Sequence, residues 1–175
     1  MLRLLRITPE VVDVVRDPDA FAQLAGAQLG EVAAIAQDVV AQGEAFRETT
    51  GSPPEWGGYL AIDETRHQVV GTCAFTSAPD DDGQVEIAYF TFPGFERQGY
   101  GTAMADGLVA EAAASGAVRL VYALTLPEPN ASARILTRHG FTQVGTVVDI
   151  DAGEVWRWER QLAQASVDQR LSDAS

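Results

Sequence analysis

The sequence predicts an α/β (α+β) protein with a mixed, mostly antiparallel central sheet of about six to seven strands flanked by helices. Three β-rich stretches, 56–62, 69–75 and 85–92, are separated by polar turns, which is typical of an antiparallel meander. An alanine-rich helical stretch, 102–115, leads from the last of these to a continuous apolar run, 118–126, and this connection predicts a parallel pair of strands.

Both ends of the chain complete this architecture. Residues 1–7 are predicted to form the first strand, and a helical region is expected from about Pro18 to Thr50, with a break near Gly30. Two runs at 141–150 and 155–162 predict a closing hairpin. With 175 residues, 46% of them apolar, the chain is expected to form one domain over 1–162 followed by a polar tail, 163–175.

The stretch 93–103 carries the strongest functional signal, because it places Gly99 and Gly101 where a strand meets a helix. The first amides of a helix have no intrahelical partner and attract anions such as a pyrophosphate. A mononucleotide loop would require a Lys-Ser/Thr pair after the second glycine, where Thr102-Ala103 stands. A dinucleotide fold would require a small residue at the position of Met104.

The same stretch resembles the cofactor motif of the GNAT N-acetyltransferase superfamily, which reads Gln or Arg, two residues, Gly, one residue, then Gly or Ala. Gly99 and Gly101 supply the glycines, while Glu96 occupies the slot of the Gln or Arg. The resemblance implies that main-chain amides hold the phosphates, so Glu96 is expected to point to solvent and Arg97 to supply charge.

A second stretch, 126–141, lies at the distance that this family leads us to expect. It looks like the second half of the acetyltransferase core, with Asn130 at the mouth, Ser132 two residues later and Gly140-Phe141 before the next strand. Together with Glu-Ile-x-Tyr at 86–89, it is most similar to the RimJ/RimL-like branch, which acetylates the N-termini of ribosomal proteins.

The resemblance implies a GNAT-like acyl-CoA N-acyltransferase fold and an enzyme that transfers the acetyl group of acetyl-CoA to a primary amine by direct attack. The amine belongs either to a small molecule or to a peptide N-terminus, and the sequence does not decide between these two acceptors. The residues carried over as cofactor-binding are Tyr89, Phe90, Thr91, Arg97, Gln98, Gly99, Tyr100, Gly101, Thr102 and Asn130. The resemblance places a backbone amide near Thr91 against the thioester carbonyl.

Two residues are candidates for catalysis. Glu86 matches the Glu of the family segment and would accept the amine proton, although a water relay is the alternative acceptor. Strict alternation puts Glu86 on the face of Ala88 and Phe90, whereas a bulge in this strand, common in the family, would reverse that. Ser132 is the candidate donor to the leaving thiolate, because no tyrosine stands at 136–138; helix capping is the alternative role for Asn130.

Composition excludes several classes of protein and of site. The net charge of −13 argues against a nucleic-acid partner. One cysteine, Cys73, and two histidines make a metal site improbable and fit a reducing cytoplasm. No apolar run approaches the roughly 20 residues of a membrane span. The family resemblance implies an acetyl-CoA co-substrate, and with this composition no metal is expected beside it.

Two other interpretations remain open. The fold is also compatible with a noncatalytic acyl-CoA-binding or regulatory module, or with a purely structural dimerisation domain. Trp156 and Trp158 alternate with Arg157 on the last strand, where they would pack in the sheet, line the cleft or form a homodimer contact.

Overall fold

The computed structural model describes residues 1–163 of the 175 and arranges their strands in one seven-stranded sheet. The strands, β1 to β7 in chain order, are Leu2–Arg6, Gly58–Asp63, Gln68–Phe75, Gln84–Thr91, Leu120–Thr125, Thr142–Asp149 and Gly153–Gln161. Their spatial order is β1-β2-β3-β4-β5-β7-β6, and every neighbouring pair is antiparallel except β4 and β5. The predicted mixed, mostly antiparallel sheet flanked by helices is confirmed.

Five α-helices, α1 to α5, accompany the sheet within this part of the chain: Pro9–Val14, Pro18–Ala25, Ala33–Thr50, Tyr100–Ser115 and Ala131–Arg138. The predicted helical region thus holds α2 and α3, separated by a loop and a 3₁₀ turn, Gly30–Val32. The sequence interpretation missed α1, which Thr8 caps through a hydrogen bond from the amide of Val11, with Pro9 in the first turn.

The helices cover the two faces of the sheet with separate apolar cores. On one face α1, α2 and α3 enclose Phe21, Leu60 and Phe92, which are fully buried. On the other face α4 and α5 bury Met104 and Leu108, among others. Neighbouring residues of β2 point to opposite cores, as the alternation of a strand requires.

The two central strands diverge soon after they meet. β4 and β5 pair only over three residues of each, from Gln84 opposite Leu120 to Glu86 opposite Tyr122. From Ile87 onward β4 pairs with β3 alone, while β5 continues with β7. The sheet is therefore split between 87–91 and 123–125, in the middle of the molecule.

The register of β4 settles the face of Glu86. β3 and β4 pair without interruption from Phe75 opposite Ile87 to Gly71 opposite Thr91, so β4 carries no bulge there. Glu86 therefore shares the face of Ala88 and Phe90, which is the face covered by α3.

None of the helices in residues 1–163 is long and apolar enough to cross a membrane. Of the predicted polar tail, 163–175, all but Ala163 lies outside the described residues.

Candidate active site

The split between β4 and β5 exposes main-chain groups along one edge of β4. The Glu86 carbonyl accepts from the amide of Thr76, directly after β3, at 3.1 Å, and the Phe92 amide donates to the Val70 carbonyl in β3 at 2.9 Å. Because successive residues of a strand direct their main-chain groups to opposite sides, those of Tyr89 and Thr91 point into the split. An extended ligand arm can bond to this edge as an added strand would.

The helix α4 begins at the end of this split with its first amides free. Gly99 adopts φ +84°, a left-handed conformation that favours glycine, and no side chain caps the helix. The amide of Ala103 bonds to the carbonyl of Gly99 at 3.1 Å. Within residues 1–163, the amides of Tyr100, Gly101 and Thr102 donate to no protein acceptor, which leaves them to an anion.

The loop before α4 shows why an acidic residue is tolerated in the motif. Glu96 is exposed, and its carboxylate accepts a hydrogen bond from the amide of Gly94 at 2.8 Å, at the far end of the turn from Gly99. Arg97 and Gln98 are both exposed, and Arg97 has φ +58°. The loop thus keeps the charge of Arg97 available on the surface.

The first turn of α4 is anchored to three neighbouring elements. The hydroxyl of Tyr100 donates to the Asp63 carboxylate at the end of β2, 2.5 Å away, and this bond holds the pKa of Asp63 below its usual value. A Cβ atom added to Gly101 would lie 3.0 Å from Ile135 on α5 and 3.7 Å from the Thr91 hydroxyl. The side chain of Tyr100 is thus directed to β2, and only the main chain of Tyr100 faces the anion position.

The first turn of α5 lies beside the split on the same face of the sheet as α4. Asn130 caps α5 by accepting a hydrogen bond from the amide of Ala133 at 2.9 Å. Burial raises the pKa of Tyr89, and the nearby Ser132 hydroxyl lowers it in part. The Tyr89 hydroxyl nevertheless makes no hydrogen bond of acceptable geometry, and it is the one buried side-chain polar atom of the described residues left so.

Glu86 stands on the opposite face, at the last paired position before the split. The Thr76 hydroxyl donates to its carboxylate at 3.0 Å. Burial raises the pKa of Glu86 above its usual value; the Thr76 bond and the charge of Arg157 lower it, while that of Asp149 raises it. A carboxylate with a raised pKa is a better proton acceptor than an ordinary one.

Residues of β5 and β7 complete the surroundings of Glu86. Tyr122 lies opposite Glu86 in the sheet, and the guanidinium of Arg157 lies 3.9 Å from the centre of the Tyr122 ring. Arg157 also bonds to Glu159 at 2.7 Å and to Gln84 at 2.8 Å. Its charge is therefore shared with Glu159, and Glu86 has no direct ion pair among residues 1–163.

A cavity of about 550 Å³ opens next to Glu86, between α3 and the strands β2, β3 and β4. Thr76, which bonds to Glu86, lines it, as do Ala88 and Phe90 of β4. Phe46 and Val39 of α3 form its opposite side. Glu86 itself does not line the cavity, and Thr76 is the residue that both lines it and bonds to Glu86. The cavity is large enough for a small molecule or for a few peptide side chains.

The other residues discussed from the sequence, His139, Trp156 and Trp158, cap a helix or pack in the sheet. His139 caps α5 and pairs with Asp106 at 2.6 Å, away from the split. Trp158 is buried against α5 and donates to the Thr125 hydroxyl at 3.0 Å, with Trp156 packed against its ring. Between residues 1 and 163, no group of three or more His, Cys, Asp or Glu side chains is arranged to hold a metal ion.

The predicted residues fall into two sets on opposite faces of the split sheet. One set, on the side of α4 and α5, comprises Gly99, Tyr100, Gly101, Thr102, Asn130, Ser132 and the side chain of Tyr89. The other set, on the side of α3, comprises Glu86 and Phe90, while Thr91 lies at the end of β4 between them. The split between β4 and β5 lies between these two sets.

Several neighbours of Glu86 and of the cavity were not predicted from the sequence. Thr76 meets Glu86 only through the β3–β4 register, which the turn at 79–83 does not reveal. The spacing of Val39, Gly43 and Phe46 does mark one face of α3, and this pattern was available in the sequence.

The sequence profile of the acetyltransferase (GNAT) domain matches residues 2–142. The chain belongs to the GNAT acetyltransferase family. GNAT membership establishes acyl transfer from acetyl-CoA as its general chemistry. No protein of curated function matches the chain in sequence.

Solved structures of acetyltransferases share this GNAT fold. RimL, a ribosomal-protein alpha-N-acetyltransferase, superposes with a TM-score of 0.65 at 18% identity over 94% of this chain and 95% of that one. An acetyltransferase from Salmonella typhimurium that modifies the N-terminal serine of a 50S ribosomal subunit protein gives 0.63 at 17% identity, over 93% and 95% of the two chains. The microcin self-immunity acetyltransferase MccE, solved with acetyl-CoA and AMP, gives 0.63 at 12% identity over 92% of each.

Proposed function

We propose that this protein transfers the acetyl group of acetyl-CoA to a primary amine, on a protein N-terminus or a small molecule, by direct attack of the amine on the thioester. The observation that carries this proposal is the split between β4 and β5, with the free amides of α4 at one end and Glu86 at the other. The cofactor approaches from the face of α4 and α5, and the amine approaches from the cavity beneath α3.

The cofactor's pyrophosphate is held by the amides from Gly99 to Thr102, with Arg97 adding positive charge and Gln98 beside it. Among residues 1–163 these amides find no protein acceptor, and the helix dipole favours an anion there. The pantetheine arm then lies along the main chain of 89–91, and Asn130 faces it from the start of α5 while capping that helix. Acetyl-CoA needs no metal to react in this way.

The reaction joins the amine nitrogen to the thioester carbonyl carbon and breaks the bond from that carbon to sulfur. An alkyl ammonium has a reference pKa near 10.4, so at neutral pH it must lose a proton before it attacks. Glu86 accepts this proton, directly or through one water, because its carboxylate stands at the edge of the split and burial raises its pKa. The amide of Thr91 points into the split, where it can stabilise the carbonyl oxygen.

The nitrogen gives up a second proton as the amide forms, and the departing thiolate takes up one proton on the opposite face of the sheet, so the reaction releases one proton in all. Ser132, in the first turn of α5 and close to the Tyr89 hydroxyl, would relay this proton from water to the sulfur and regain its own. A base and an acid on opposite faces of the split keep the incoming amine and the leaving sulfur on separate sides of the carbonyl.

Thiol release from acetyl-CoA in the presence of a panel of amines and N-terminal peptides tests the proposal. We expect thiol release that depends on acceptor, and a kcat that falls about 10²–10⁴-fold in Glu86→Gln. The matched control is Glu154→Gln, an exposed carboxylate at the start of β7, which should leave kcat unchanged.

Two other outcomes would replace this function. Thermal stabilisation by acetyl-CoA without turnover of any acceptor would indicate an acyl-CoA-binding or regulatory module. A protein that coenzyme A does not stabilise at all would have kept the fold for structural or dimeric contacts alone.

A further inference from the structure

In the described residues, a cavity separates the second half of α3 from the sheet. Ala36 and Val40 in the first half are fully buried in the core. Val39, Gly43 and Phe46 recur at helical spacing and line the cavity. Val39 also packs against the core, whereas Gly43 and Phe46, in the second half, are exposed. An apolar helix face that meets an open cavity beside a reaction centre is suited to cover a bound ligand.

Most side chains around this cavity are apolar or aromatic, and the polar ones among the described residues are Gln42, Arg47, Ser52, Thr72 and Thr76. Phe46 and Phe90 face each other across it and remain 53% and 48% exposed. Trp56 forms part of its wall, with its ring held edge-on against Phe75 at 5.1 Å. Half-exposed rings at a cavity wall gain most from a ligand that covers them, and rings favour aromatic partners.

Charged groups contribute little to the same surface. Arg47 is the one charged residue that lines the cavity, and its guanidinium is paired with Glu44 at 2.6 Å. No Asp or Glu lies among the lining residues. A second cationic group on the acceptor, as in a polyamine, would find no partner there and would lose its hydration.

Size and position agree with an aromatic group attached close to the reacting amine. A cavity of roughly 150 Å³ is sufficient for benzene, and this cavity of about 550 Å³ has room for a ring, a short linker and the amine. Thr76 lines the cavity and bonds to Glu86, which itself lies behind this lining, so an amine at the Thr76 end of the cavity would be one residue away from the base.

On the basis of the function proposed above, we propose that the acceptor is a primary amine carrying an aromatic group within a few bonds of its nitrogen, and that the cavity beneath α3 holds this group. The amine is either a free arylalkylamine or the N-terminus of a chain that begins with an aromatic residue. The shared chemistry of the two is an aromatic ring next to an uncharged linker and one amine.

The acceptor preference is measured as kcat/KM for 2-phenylethylamine, tryptamine, ethanolamine and spermidine. Two peptides that differ only in starting with Phe or with Ser form the second arm of the experiment. In each arm we expect kcat/KM for the aromatic acceptor to exceed that for the polar acceptor at least tenfold. The arm with the higher kcat/KM shows whether the acceptor is a free amine or a peptide N-terminus. Equal values, or a preference for ethanolamine or spermidine, would overturn the proposal.

Gly43 offers a way to fill the cavity without disturbing the fold. A Cβ atom at Gly43 has nothing within 4 Å, and both alanine and leucine form helix more readily than glycine. Gly43→Leu should therefore fold with an unchanged or higher Tm and lose at least tenfold in kcat/KM for 2-phenylethylamine, with a smaller loss for ethanolamine. Gly43→Ala should fall between Gly43→Leu and the wild type. Leu24→Ala, at an exposed position on α2, should change neither value.

Failure of this proposal is distinguishable from failure of the transfer reaction itself. Turnover of small amines without an aromatic preference overturns only the aromatic acceptor. If no amine releases thiol, calorimetric binding of 2-phenylethylamine to wild type and Gly43→Leu still decides the question. Binding that Gly43→Leu weakens at least tenfold supports the aromatic pocket, and binding that is absent or equal in the two proteins overturns it.

Discussion

The Thr76 hydroxyl donates a 3.0 Å hydrogen bond to the Glu86 carboxylate at the position where β4 and β5 stop pairing. Burial raises the pKa of Glu86, and this bond lowers it in part because it stabilises the ionised carboxylate. Thr76 thereby adjusts the proton affinity of the proposed base without having to touch the substrate amine.

Replacing Thr76 by valine should raise the pKa of Glu86 further, because the one bond from a side chain to its ionised form is lost. The acid side of the profile of kcat/KM against pH should then move to higher pH. On that side kcat/KM should fall on the order of tenfold, because a hydrogen bond to a charged group is worth about 1.5–3 kcal/mol. At high pH the two proteins should converge.

Thr76→Ser is the matched control, since it keeps the hydroxyl and should restore the wild-type profile. A Thr76→Val enzyme whose loss is the same at every pH would show that Thr76 acts by packing alone.

Glu86→Gln should stabilise the free protein at neutral pH. The pKa of Glu86 is raised in the folded state, so its contribution to stability is fully present below its unfolded pKa and is lost as the pH rises through the folded pKa. Glutamine removes the ionised group and still accepts the Thr76 bond. The Tm of Glu86→Gln should exceed that of the wild type at pH 7, and the difference should shrink towards pH 4 in calorimetric scans. A variant less stable than the wild type at pH 7 would contradict this assignment of the pKa.

Gly99→Ala should weaken coenzyme A binding at least tenfold. Gly99 has φ +84°, where a side chain adds about 1–2 kcal/mol of strain, and strain at this position distorts the amides that receive the pyrophosphate. Gly116→Ala at the other end of α4 is the control: it has φ +70° and equally open surroundings. Both variants should lose similar stability, and titration calorimetry with coenzyme A should separate them. Equal affinities would place the phosphates elsewhere.

Tyr89→Phe should raise the stability of the free protein by about 1 kcal/mol, because it removes a buried hydroxyl that has no partner. We expect the gain to disappear at saturating coenzyme A, where the wild-type hydroxyl bonds to the ligand or through Ser132. Thermal unfolding with and without coenzyme A measures both values, and Tyr122→Phe serves as the comparison on the other face of the sheet. If Tyr89→Phe is still more stable than the wild type at saturating coenzyme A, the Tyr89 hydroxyl does not contact the ligand and the side chain only packs.

Most of the fold was predictable because strand alternation and turn residues are local signals. The parallel pair β4–β5 followed from the helix 102–115 that joins its strands, and Gly99 and Gly101 located the start of α4. The helix α1 escaped notice, since six residues are too few to show periodicity, although Thr8 and Pro9 are start signals.

The candidate site was less predictable, because its contacts depend on register and on empty space. The face of Glu86 depended on whether β4 carried a bulge, and its bond to Thr76 depended on pairing across a turn. The stripe on α3 through Val39 and Phe46 has the pattern of any buried helix face; that it covers a cavity results from how far α3 stands from the sheet.

The three residue pairs that join β4 to β5 are also the seam between two halves of the protein, β1–β4 and β5–β7. A ligand arm that bonds along 87–91 would bridge this seam, so the co-substrate would act as a structural member as well as a reactant. Hydrogen exchange of the Tyr89 and Thr91 amides should therefore be slower when coenzyme A is bound. The protein should also resist proteolysis better with coenzyme A than without it.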